Sequence, residues 1–82
     1  MTNALRPIHT IAADIRRHWP KPYFGAVPYL DAMRQLSTCN DAYYEDSGHS
    51  VVAYFLGNAA GFKGEAARNI KVELKAHLKS EG

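Results

Sequence analysis

Cysteine, long apolar runs and charge of one sign are all scarce in this chain, and each scarcity removes a class of protein. The single cysteine, Cys39, excludes an internal disulfide. No apolar run approaches the roughly 18 residues that a membrane span needs. The N-terminal MTNALRPIHT lacks the apolar core of a secretory signal. A soluble, cytoplasmic protein that acts away from membranes is therefore expected. No glycine-rich loop follows a strand-like run, so nucleotide binding has no support. Cys39, His49 and Asp41 form the one imaginable nucleophilic set, yet nothing near them marks an activating base or an oxyanion site. Among His9, His18, His49 and His77 no two share a helix face. Glu73 with His77 is an i, i+4 donor pair that sits partly on an apolar stripe, and a metal site needs three or four convergent ligands. Asp41, Glu45 and Asp46 lack the alternation and central glycine of a calcium loop, and cap and turn chemistry explains them better. No catalytic residue, metal or cofactor is expected, and the chain is read as non-enzymatic.

What is present is helical periodicity, in 82 residues that make one domain. The stretch Ser47 to Phe62 organises the rest. Val51, Val52, Phe55, Leu56 and Ala59 form one wide apolar face, with Tyr54 pointing away. Asp46 or Ser47 caps its start. Gly61 is placed to adopt the left-handed stop, with Phe62 folding back on Leu56. Gly57, costly inside a helix, is expected either near the end or where a neighbouring helix approaches closely. Ile8, Ile11, Ala12, Ile15 and Trp19 mark an earlier amphipathic helix that Pro20 and Pro22 stop. Ala26, Tyr29, Leu30, Met33 and Leu36 mark a second, with Pro28 in its first turn. Ala66, Ala67, Ile70, Leu74, His77 and Leu78 mark the last. The expected fold is all-α, a small four-helix domain with helices at 7–18, 25–38, 48–60 and 64–79. Its third helix is central and buried, and residues 1–6 and 80–82 are loose ends.

With these segments laid out, YFGAVPYLDAM (Tyr23 to Met33), DSGHSVVAYFLGNA (Asp46 to Ala59) and GEAARNIKVELK (Gly64 to Lys75) resemble a group of short uncharacterised proteins of actinobacteria and their phages. The resemblance spans most of the chain. It implies context, a cytoplasmic host or phage-borne protein directed at a host protein, and it carries over no functional residue.

Function is then sought on outer faces. Charge is uneven: residues 1–21 carry +3, residues 22–61 carry −3 and residues 62–82 carry +2. Arg68, Lys71, Lys75 and Lys79 run beside the apolar stripe of the last helix, where like charges at this spacing repel. Such a row is either a solvated face or a seat for an anionic partner. With Arg16 and Arg17 of the first helix it defines the alternative reading, a nucleic-acid-binding regulator. Glu65, Ala66 and Ala67 stand where a recognition helix would carry base-reading side chains, which counts against DNA. Tyr23, Phe24, Tyr29, Tyr43, Tyr44 and Tyr54 make a large aromatic group for so small a domain, and tyrosine is enriched at interfaces. The leading expectation is a protein-binding module using Tyr43 and Tyr44. A second copy of the chain is one candidate partner, since a small core gains from extra burial.

Overall fold

The computed structural model describes residues 6–38, 42–43 and 46–81, the side chains of 42, 43, 46, 80 and 81 excepted. Four helices form in order: α1 (Ile8–His18), α2 (Val27–Met33), α3 (Gly48–Gly57) and α4 (Glu65–Glu81). Between α2 and α3, β1 (Ala42–Tyr43) pairs antiparallel with β2 (Asp46–Ser47), Ala42 opposite Ser47 and Tyr43 opposite Asp46. The all-α four-helix domain expected from periodicity is the architecture observed. Helix α2 packs on α1 and α3, and α4 packs on the same two from the other side. No helix among the described residues is long and apolar enough to cross a membrane.

The core is assembled from the predicted stripes. Ile8, Ile11, Ala12 and Ile15 of α1 are fully buried, as are Leu30 and Met33 of α2, Val52 and Phe55 of α3, and Leu74 of α4. Helix α3 lies between α2 and α4 and buries one face, leaving His49 and Tyr54 in solvent. Its start is capped by Ser47, whose hydroxyl accepts from the Ser50 amide at 3.0 Å. Among the two candidates for that cap, the backbone geometry selects Ser47.

Helix α2 ends five residues before its predicted boundary, and the cause is tertiary. The amides of Arg34, Gln35 and Leu36 donate to the carbonyls three residues back, tightening the chain out of α-helical geometry. The carbonyls of Leu36 and Ser37 then turn toward α1. They accept from the amides of His9 at 2.8 Å and Ile8 at 2.9 Å. Helix α1 has no side-chain cap, so these two carbonyls satisfy amides that would otherwise be left open. Leu36 is buried by the same turn.

The other revised boundary lies after α3. The helix stops at Gly57, where Asn58 takes the cap position and donates its side-chain amide to the Tyr54 carbonyl at 2.9 Å. Gly61 does not adopt the left-handed conformation expected of it; Gly64 does, at φ 107°. Phe62 turns inward under Trp19, the rings stacking at 5.1 Å. A methyl group on Gly64 would meet nothing within 4 Å, so Gly64→Ala isolates the backbone cost. It is expected to lower stability by about 1–2 kcal/mol in urea unfolding. A change under a few tenths would show that the turn relaxes freely.

Candidate functional site

The described surface holds an open groove of about 360 Å³ lined by Tyr23, Gly57, Asn58, Ala60 and Gly61. It lies where the turn before α2 faces the connection between α3 and α4. Tyr23 is its aromatic wall, and the reason is steric. Pro22 keeps the preceding backbone extended, and the Ala26 amide closes a turn on the Tyr23 carbonyl at 2.8 Å. The Tyr23 ring then folds over Gly25. A Cβ on Gly25 would stand 2.6 Å from Tyr23 Cε2 and 3.0 Å from Asn58 Oδ1, so only glycine admits this arrangement. Phe24, 79% exposed, packs beside the half-exposed Tyr23 with ring centres 4.8 Å apart. One helical turn from Asn58, the exposed Tyr54 rests on Tyr29 at 5.5 Å.

Two glycines of the groove answer to no structural need. A Cβ on Gly57 would meet nothing within 4 Å, and one on Gly61 would make ordinary contact with Trp19 at 3.8 Å. Neither has a positive φ. Nor does any helix approach Gly57 closely, so the expectation of close packing there gives way to its position at a helix end. What the two glycines do is leave the groove open.

The basic residues divide into two kinds. Arg16 pairs with Asp31 of α2 at 3.5 Å, and Arg17 with Asp14 at 3.4 Å. Arg68, Lys71, Lys75 and Lys79 have no carboxylate within 4 Å among the described residues. Glu73 faces α1, and a repeat of 3.6 residues per turn puts the four cations roughly 160–240° around α4 from it. The two groups thus differ in pairing: the α1 arginines meet carboxylates, and the α4 row meets none among the described residues. Val72, 61% exposed, flanks the α4 row on the edge away from Lys71. Lys71, at the edge nearest α3, sits 5.9 Å above the Phe62 ring. Phe62 stacks on Trp19 and Trp19 backs Gly61, so the start of the row lies near the groove.

The inner flank of α4 carries a different cluster. Arg6 donates through Nε to Glu73 Oε2 at 3.0 Å and through Nη2 to Glu73 Oε1, a fork on one carboxylate. Its Nη1 reaches Asp14 at 3.3 Å. Asp14 also faces Arg17 and, at 3.5 Å, His18. The Glu73 hydrogen bond raises the Arg6 guanidinium above its ordinary range against the opposing effect of burial, and the Glu73 charge and Asp14 add to the rise. His77, only 3% exposed, holds the Arg6 carbonyl at 2.7 Å. A carbonyl only accepts, so His77 Nε2 carries the proton. The Glu73–His77 pair noted as a metal-donor pair is thus spent on Arg6, which anchors the start of α1 instead of belonging to a loose end.

Of the expected partner-binding tyrosines, Tyr44 and the Tyr43 side chain lie outside the described residues, as do Cys39, Asp41 and Glu45. His9 and His49 are exposed, far from sharing a site with His77 in sequence or burial. Sequence reading missed the groove itself; the signal was there in two glycines, Gly57 and Gly61, that flank Asn58 and Ala60. No family model, curated protein or solved structure matches the chain.

Proposed function

We propose that the protein is a non-enzymatic binding module that seats a segment of a protein partner in the groove beside Tyr23. The observation that carries this reading is the pair Gly57 and Gly61. Glycine at a helix position costs about 0.5–1 kcal/mol relative to alanine, and here neither fold geometry nor packing requires it. A groove walled by the half-exposed Tyr23 ring and lined otherwise by Gly57, Asn58, Ala60 and Gly61 suits close approach of another chain's backbone and apolar side chains. The exposed rings of Tyr23, Phe24 and Tyr54 add to the interface role expected of Tyr43 and Tyr44.

Affinity capture from a host-like lysate, comparing wild type with Gly57→Leu and Tyr23→Ala, tests the reading. Identical recovered proteins for all three would refute the groove as the interface. Gly57→Ala gives a sharper sign: stability rises by a few tenths to about 1 kcal/mol, while partner binding weakens. Gly25→Ala acts in the opposite sense on the wall, displacing the Tyr23 ring end at modest cost to the fold and weakening the same binding.

Contact with nucleic acid is the second reading, and its support is the unpaired α4 row alone. Arg16 and Arg17, already neutralised by carboxylates, add little to it.

A further inference from the structure

The groove and the α4 row are neighbours, linked by the contacts of Gly61 with Trp19, Trp19 with the buried Phe62, and Phe62 with Lys71, and from this adjacency we infer the chemistry of the partner. It is an acidic segment: an apolar or aromatic residue seated in the groove, with carboxylates laid along Lys71, Lys75, Lys79 and Arg68. The inference rests on the groove reading above and names what that groove takes.

Three observations favour an acidic protein segment over a phosphate backbone. First, the groove near the cationic row is walled by the Tyr23 ring with glycine and alanine beside it, and a phosphate backbone brings no apolar side chain to fill it. Second, Val72 stands exposed at the edge of the cationic row, an apolar contact that a protein side chain can cover. Third, the lysines rise along α4 by about 6 Å per four residues, a spacing that carboxylates of a helical or extended acidic segment can match. The charge complementarity is one-sided: Arg6, Arg16 and Arg17 already meet carboxylates of their own chain, and the α4 row meets none among the described residues. Bringing that row together costs a few tenths of a kcal/mol per like-charged i, i+4 pair, and an acidic partner reverses the sign.

A library of random peptides of roughly 12 residues, selected on the immobilised full chain, tests this directly. Peptides carrying one aromatic, leucine or proline anchor beside several Asp or Glu residues are expected. Their binding, followed by fluorescence anisotropy, should weaken on the order of tenfold in the triple variant Lys71→Ala, Lys75→Ala, Lys79→Ala, as three rim charges imply. It should also fall with added salt, and fall again in Gly57→Leu. All these positions are at least partly exposed, and circular dichroism confirms that each variant is folded before binding is compared. Selection of neutral or basic peptides whose binding is lost in Gly57→Leu but unchanged in the lysine variant would overturn the acidic partner and leave the groove reading standing. Enrichment of no peptide overturns both. Displacement of the selected peptide by a short DNA duplex at equal or lower concentration overturns the proposal in favour of nucleic acid.

Discussion

Phe55→Ala is expected to lower the free energy of unfolding by about 3–5 kcal/mol, the cost of deleting a buried ring and leaving its cavity. Phe55 is fully buried on α3 and meets Trp19 edge-on at 6.4 Å, so the loss reaches two elements at once. A domain of this length has a total stability of only about 4–12 kcal/mol. The substitution therefore removes a large share of it. The urea midpoint followed by far-ultraviolet circular dichroism should fall steeply, and a partly unfolded population in water is consistent with the lower end of that range. Phe55→Leu, which keeps most of the volume, should cost about 1–1.5 kcal/mol. If alanine and leucine behaved alike at under 1 kcal/mol, Phe55 would not be the centre of the core.

The second large effect is expected at His77, and it separates packing from hydrogen bonding. His77→Ala should cost about 2–4 kcal/mol, combining lost volume with the loss of the donor to the Arg6 carbonyl. His77→Phe keeps a ring and removes the polar contacts, the donor to the Arg6 carbonyl among them, so about 1–3 kcal/mol should remain. Equal costs for the two variants would assign the whole effect to the hydrogen bond; a neutral His77→Phe would assign it to packing. The Arg6 fork onto Glu73 stands apart from this in its pH behaviour. Because the guanidinium is shifted upward, its contribution is complete below its ordinary titration range and is lost only as pH rises through the still higher folded value. Raising the pH to about 10 should leave it intact, since arginine titrates above about 12.

The core was legible because every helix reports its buried face in its spacing. Ile8, Ile11, Ala12 and Ile15 recur as a stripe whatever that stripe packs against, and the same holds for Val51, Val52 and Phe55. Even His77, a polar residue on the inner stripe of α4, could be placed before its partner was known. Boundaries were less legible. The early end of α2 depends on carbonyls of Leu36 and Ser37 being drawn to amides of α1 almost 30 residues earlier in the chain, and no local propensity encodes that attraction. The stop after α3 moved for a related reason: Phe62 is pulled under Trp19, so the turn forms around Asn58 and Gly64 instead of at Gly61.

The candidate site shows the same division. Arg16, Arg17, Arg68, Lys71, Lys75 and Lys79 were visible as basic positions on two helices. Which of them are already neutralised was not, because Asp14 and Asp31 come to the arginines through packing of α1 and α2. The groove arises where residues 23 and 57–61 meet, and a linear reading has no means of pairing them.

By itself the sequence determined the helical class, the four amphipathic faces and the residues that bury, since these follow from side-chain chemistry repeated at the period of the helix. The tertiary structure alone decided which charges pair, where the helices stop and which glycines stand over open space. Those outcomes depend on groups distant in the chain competing for the same hydrogen bonds and the same volume, and that competition is settled only when the faces have packed.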